Sequence, residues 1–340
     1  MTVNGNASWL REAKWGVFVH YLAAPAGVTP SPMTAEAWNR RVDAVDVERL
    51  ADQVAGVGAG YCFLTVGQNS GHFCAPNAAY DAIAGIVPSK CSRRDLVGDL
   101  HGALAARGLR LGVYATNAPP ACEPKVVARF GWEWGHEGGW PRVDTPRTGR
   151  RLAEAQIKWE SVLRDWSLRW GRRVSAWWID GCYFADAMYR FPDPPNFESL
   201  AAALKAGNPD ALVAFNGGGK IGGTHICEVP LVRMSPAEDF TAGELDGALP
   251  VGDVRNGTMS LLPATADGAQ WHALTFLGQT WGVGPTRFPD ELAAGYTKLV
   301  AARGGAITWD VPTENGNIPD DFLRQLASIG KALRGGMHRS

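Results

Sequence analysis

Short runs in which both alternating sets of positions are apolar recur along the chain. The clearest is Arg173–Gly181, RVSAWWIDG, where Val174, Ala176 and Trp178 alternate with Ser175, Trp177 and Ile179. A strand apolar on both faces is a buried parallel strand. Similar runs fill 15–22 (WGVFVHYL), 59–66, 109–116 (LRLGVYAT), 211–216 (ALVAFN) and 306–311 (AITWDV). Weaker strand candidates are 226–230, 231–235, 258–263 and 270–279, the last equally readable as a short helix. Helical patterns fall between them: a lead-in over 1–14, a helix opened by Thr34 as N-cap, and others over 46–57, 93–107, 148–170, 197–206, 291–303 and 318–333. Several stop at a glycine: Gly108, Gly207 and Gly304. Within 148–170, Trp159, Trp166 and Trp170 share one face, a stripe that reads as core packing.

Buried strands alternating with helices predict a parallel α/β protein. This length and strand number fit one (β/α)8-type barrel over 1–340, with a long loop insertion at 117–146 that holds WEWGHEGGW. A doubly wound open sheet is the runner-up, but no GxGxxG follows the first strand. The glycine run after Asn216 lacks P-loop spacing and reads as a turn.

The totals narrow the function. A net charge of −1 without a basic run argues against nucleic acid and anionic membrane. No apolar segment reaches membrane length, and the N-terminus lacks a secretory pattern, so a soluble, cytoplasmic protein is expected. Six cysteines at no CxxC spacing read as buried thiols. Fourteen tryptophans raise the prospect of sugar binding, because indole stacks on the apolar faces of sugars.

In a barrel, polar residues at the C-terminal ends of the strands converge on one pocket. Here they are His20, Tyr21, Gln68, Asn69, Tyr114, Asp180, Asn216, the acidic group Glu238, Asp239 and Glu244, and Asp310. Asp180 closes its strand and precedes Gly181, as a catalytic group would; it could equally cap the next turn. Gln68 and Asn69 could simply satisfy loop backbone, and Glu238 and Glu244 could belong to a solvated loop. His20, His72, His225 and His272 show neither HxH nor HExxH spacing, so neither metal nor cofactor is expected. Carboxylates, amides and aromatic faces without metal or phosphate loop suit glycoside cleavage, in which one carboxyl protonates the leaving oxygen and the other attacks the anomeric carbon or activates water.

Several ordered segments resemble glycoside hydrolase family 29, the α-L-fucosidases. WGVFVHY is similar to the family's first-strand motif, FLTVGQNSGHF lies where it has a Leu-Thr-x-Lys-His-His-Asp-Gly-Phe run, and GLRLGVYAT is similar to its Gly-Leu-Lys-x-Gly-x-Tyr strand. WWIDG matches the strand bearing the nucleophilic Asp, and RGGAITWDVPTENGNIP resembles the segment that closes the barrel. The resemblance spans 15–330 and implies retaining hydrolysis with Asp180 as nucleophile and His20 as a sugar ligand. MSPAEDF resembles one branch's acid/base context and points to Glu238, with Glu244 next. QWHALTFLGQTWG resembles another branch through Trp271 and Trp281, and brings in His272 third. Candidate substrate contacts are therefore His20, Tyr21, Gln68, Asn69, His72, Tyr114, Trp178, Glu244, His272 and Trp281.

The sequence departs from the family at the His-His pair, replaced by Gln68-Asn69, so a sugar other than fucose is an open alternative. The chain also stops without the β-sandwich that usually follows the family's barrel, leaving room for another subunit in a homo-oligomer. A carbohydrate-binding protein on a decayed glycosidase scaffold is the second reading.

Overall fold

Eight parallel strands form one sheet in chain order: β1 (Trp15–Val19), β2 (Tyr61–Thr65), β3 (Arg110–Thr116), β4 (Val174–Asp180), β5 (Leu212–Phe215), β6 (Glu244–Leu245), β7 (His272–Phe276) and β8 (Ala306–Val311). The sheet runs β5-β4-β3-β2-β1-β8-β7-β6, so the first and last strands of the chain are neighbours, as in a (β/α)8 barrel. This computed structural model describes residues 5–27, 29–133, 150–182, 188–217, 219–221, 224–226, 233–246, 249–250, 252–255, 258–261 and 265–334.

Both faces of the strands are buried because the two faces do different work. Val17, Val19, Cys62, Leu64, Leu111, Val113, Trp177, Ile179, Val213, Ile307 and Trp309 point outward into the layer between sheet and helices. Phe18, Tyr61, Phe63, Tyr114, Ala176, Trp178, Leu212, Ala214, Leu274 and Ala306 fill the barrel. Large and small residues interlock there. A Cβ on Gly16 would lie 2.3 Å from the Tyr61 ring, and one on Gly112 would lie 2.4 Å from Phe63. These two glycines supply the room that the bulky rings of β2 occupy.

The expected helices form with shifted ends. Thr34 Oγ1 accepts the Ala37 amide and caps α1 (Ala35–Asp43). The long helix is α2 (Ala153–Trp170), with Trp159, Trp166 and Trp170 all buried. Inside the expected 117–146 loop lies a further helix, Pro124–Phe130; most of WEWGHEGGW is outside the described residues.

The weak strand candidates resolve differently from one another. Residues 270–279 contain β7, whereas Thr258–Leu261 pairs antiparallel with Gly252–Arg255 in a two-stranded sheet apart from the eight-stranded one. Thr224–Ile226 pairs antiparallel with Gly219–Ile221 in another two-stranded sheet; the remainder of 226–230 and residues 231–232 lie outside the described residues, and 233–235 are not strand. The sixth strand is β6, inside what reads as an acidic loop.

That loop also completes the ring. β5 and β6 do not pair as strands, but the Asp239 amide donates to the Val213 carbonyl at 2.9 Å, and the Gln270 amide donates to the Asp239 carbonyl at 2.9 Å. Side chains finish the seam. Asp239 Oδ2 accepts the Val213 amide at 3.0 Å and the Lys205 ammonium at 2.7 Å, and Glu238 Oε1 accepts the Phe215 amide at 2.8 Å. Two carboxylates thus serve amides of β5 that a neighbouring strand would otherwise satisfy.

Candidate active site

The inward alternation carries straight into the chemistry. Positions 16, 18 and 20 of the β1 segment, 176, 178 and 180 of β4, and 306, 308 and 310 of β8 share the inner face, so His20, Asp180 and Asp310 finish their strands at the same end. The same period brings Phe240, Ala242 and Glu244 inward on the seam segment. A cavity of about 420 Å³ opens at these ends, bordered by His20, Gln68, Asn69, Tyr114, Trp178, Asp180, Glu244, Asp246, Phe276 and Trp281 together with Pro25, Ala26 and Gly27 of the loop after β1. That size lies within the usual range for small-ligand pockets.

Asp180 is held by several donors. Its Oδ1 accepts the Gly181 amide at 2.7 Å and Asn216 Nδ2 at 3.0 Å, and its Oδ2 accepts the Tyr114 hydroxyl at 2.5 Å. Gly181 has φ +78, a left-handed turn that returns its N–H to the preceding side chain. Asn216 Nδ2 also donates to Glu244 Oε2. One amide nitrogen therefore bridges the two carboxylates, and their bonded oxygens are at most about 6 Å apart, two hydrogen-bond lengths. Burial and the neighbouring Asp180 charge hold the Tyr114 phenol well above its ordinary value, so it stays a proton donor.

A second group flanks the cavity. His20 Nδ1 donates to Asp310 Oδ1 at 2.6 Å, while Asp310 Oδ2 accepts the Gly282 amide at 2.6 Å. This fixes the imidazole with Nε2 left for a ligand. Asp310 is fully buried; desolvation raises its pKa and the adjacent His20 opposes that rise. Trp281 packs on His20, with ring centroids 5.6 Å apart, and its Nε1 donates to Asp246 Oδ1 at 2.9 Å. Trp178 stacks on Tyr114 at 5.4 Å and 16°, and its Nε1 donates to the Ala242 carbonyl at 2.9 Å. Aromatic faces and fixed polar groups thus share one wall, a combination that suits a ring with one apolar face and a rim of hydroxyls.

Of the residues singled out from the sequence, His20, Gln68, Asn69, Tyr114, Trp178, Asp180, Glu244 and Trp281 border the cavity; Glu238, His272, Tyr21 and His72 do not. Glu238 lies in the seam, 2 % exposed. Oε1 takes the Phe215 amide and Oε2 takes the amides of Met234 and Ser235. Burial pushes its pKa up to about 7 against the pull of those three donors. His272 sits deeper in the barrel, with Nδ1 donating to the Thr241 carbonyl at 3.1 Å and Nε2 bonded to Thr308 Oγ1 at 2.7 Å. Burial lowers its pKa to about 4, so it is a neutral core imidazole. Tyr21 follows His20 and points outward. It packs against Trp38 and donates to the Arg41 carbonyl at 2.9 Å. His72 binds the Met33 carbonyl through Nε2 at 2.9 Å, and burial lowers its pKa.

Gln68 and Asn69 border the cavity but spend hydrogen bonds on the Gly27 backbone: Gln68 Oε1 accepts its N–H at 2.7 Å and Asn69 Nδ2 donates to its carbonyl at 3.2 Å. Asp246 is a cavity residue that the sequence reading did not single out; once β6 is known, its position just after that strand marks it. Among the described residues, no group of three or more His, Cys, Asp or Glu side chains is arranged to hold a metal ion, and no helix is long and apolar enough to cross a membrane.

The architecture defines the class: a (β/α)8-type barrel with a polar cavity at the C-terminal ends of its strands. No family model and no curated protein matches the sequence. Among solved structures, the fold is similar to that of the endo-fucoidan hydrolase P5AFcnA from glycoside hydrolase family 107, with a TM-score of 0.65 and 17 % identity over 97 % of this chain and 93 % of that one. It is also similar to α-L-fucosidase isoenzyme 1 from Paenibacillus thiaminolyticus, with a TM-score of 0.60 and 17 % identity over 97 % and 75 % of the chains. The α-L-fucosidase GH29 from Bacteroides thetaiotaomicron gives 0.61 and 14 % over 97 % and 74 %. At these identities the likeness is one of fold.

Proposed function

We propose that this protein is a glycoside hydrolase acting on a terminal fucosyl or closely related sugar, with retention of configuration. The observation that carries the reading is the pair Asp180 and Glu244, joined through one amide of Asn216 in the polar cavity. Carboxyl groups about 5–5.5 Å apart belong to retaining enzymes, whereas inverting enzymes need about 6.5–9.5 Å to admit a water. The fold likeness to two α-L-fucosidases and an endo-fucoidan hydrolase supports the sugar class.

In the first step Asp180 attacks the anomeric carbon and the glycosidic C–O bond breaks. Glu244 gives its proton to the departing oxygen. In the second step Glu244 takes a proton from water, the water oxygen bonds to the anomeric carbon, and the ester to Asp180 breaks. His20 and Trp281 receive the sugar's hydroxyls and face. A sugar-binding protein without turnover needs no second carboxyl here, so the pair favours hydrolysis.

The test is the anomer released early from an aryl α-L-fucoside, followed by proton NMR. The α-anomer is expected first, with activity falling at least about 10³-fold in Asp180→Asn. Initial release of the β-anomer rejects retention, and an active Asp180→Asn rejects the nucleophile.

A further inference from the structure

Three hydrogen bonds link the loop after β1 to the carboxylate of Asp180. The Gly27 N–H donates to Gln68 Oε1 at 2.7 Å, Gln68 Nε2 donates to Tyr114 Oη at 2.6 Å, and the Tyr114 O–H donates to Asp180 Oδ2 at 2.5 Å. Each link sets the direction of the next. A backbone N–H can only donate, so the amide oxygen of Gln68 must face Gly27 and its NH₂ must face Tyr114. A phenol oxygen that accepts this N–H turns its own proton the other way, toward Asp180. Gln68 is 6 % exposed, so water offers its amide little alternative. Asn69 holds the same loop residue through its carbonyl at 3.2 Å, and Gly27 itself borders the cavity.

We infer that Gln68 is a positioning residue that couples the seating of the loop wall at 25–27 to the direction of the Tyr114 hydrogen bond on Asp180. With Gly27 seated, Asp180 receives the tyrosine proton. With Gly27 withdrawn, the Gln68 amide is free to turn its oxygen to Tyr114, which then donates to Gln68 and leaves Asp180 one donor short. The nucleophile is fully oriented only when the cavity wall is closed over it, a local form of gating by a loop. The inference rests on the proposed role of Asp180, so its test includes a signal that needs no turnover.

That signal is the side-chain carboxyl carbon resonance of Asp180 in ¹³C-aspartate-labelled protein, assigned by its loss in Asp180→Asn. In Gln68→Glu the introduced carboxylate accepts from both Gly27 and Tyr114 and draws the tyrosine proton away. The titration of the resonance and the acid limb of kcat/KM should both move up by about one pH unit. In a Tyr114→Phe background the same substitution should move them less than half as far, because the relay is already cut. Equal movement in both backgrounds reduces the effect to added charge and overturns the inference, as does no movement in either. Gln68→Met removes the clamp without adding charge. Hydrogen exchange at the Gly27 amide should rise at least about tenfold and KM about fivefold, with the acid limb unmoved. Unchanged exchange at Gly27 overturns the coupling even if Gln68→Glu does not fold. If no glycoside is hydrolysed, the hydrolase reading fails while the resonance and the exchange rate still judge the relay.

Discussion

The carboxylate of Glu238 accepts the backbone amide of Phe215 at 2.8 Å, taking the part of a strand carbonyl at the one seam where β5 lacks a strand partner. The other oxygen serves the amides of Met234 and Ser235. This separates two glutamates that lie close in sequence. In Glu238→Gln an NH₂ must face at least one backbone N–H, at a cost of about 1–3 kcal/mol, while kcat of the folded protein stays within about twofold. In Glu244→Gln stability should change little, and kcat should fall about 10²–10⁴-fold on substrates with poor leaving groups. Urea denaturation alongside steady-state kinetics reads both; the reverse pattern would return the acid/base role to Glu238.

Asp310 offers one oxygen to His20 and the other to the Gly282 amide. In Asp310→Asn a single oxygen must serve two donors, and the imidazole loses its fixed orientation. KM should rise about tenfold with a smaller change in kcat, because the lost interaction orients a binding group rather than a reacting one. An unchanged KM would remove His20 from the binding surface.

His272 is held neutral in the barrel, with its pKa lowered to about 4 by burial. An unfolded histidine has a pKa near 6.5. Between those values the unfolded chain binds more protons, so this contribution to stability is present above about pH 6.5 and is lost as pH falls toward 4. Proton NMR should show the His272 ring neutral from pH 8 to about 5, with the resonance assigned by its absence in His272→Gln. A midpoint near 6.5 would contradict the burial of this ring between Thr241 and Thr308.

Gly16 leaves the space that Tyr61 fills, and an added Cβ would lie 2.3 Å from its ring. Gly16→Ala should cost about 1–3 kcal/mol by overpacking. In a Tyr61→Leu background most of that cost should vanish, which a double-mutant cycle from thermal denaturation can measure. An additive result would mean that the two positions do not share the space.

Much of this architecture is legible in the amino-acid sequence alone. Strands such as β1, β4 and β8 are apolar on both faces, and that signal survives without tertiary information. β6 could not be read in the same way. It is two residues long, and in the segment that leads into it the inward Phe240, Ala242 and Glu244 alternate with Thr241 and Gly243, so the period is hidden by polar and small residues. The site followed the same division. Asp180, His20, Tyr114 and Asn216 could be read because they end legible strands. The positions of Glu238 and Glu244 could not, because the register of the segment is set by long-range bonds to Val213 and Gln270. Tyr21 and His272 obey inward and outward rules that only the closed sheet makes visible.

The stretch from Ser235 to Asp246 closes the ring and also furnishes two cavity groups, Glu244 and Asp246, on either side of the strand residue Leu245. Redesign of sugar preference there would risk the scaffold with every change, since a residue facing the ligand sits beside one that stitches the cylinder shut. Pro25 and Ala26 border the same ligand space without stitching any strand, so changes there spare the scaffold, provided that Gly27 beside them keeps its bond to Gln68.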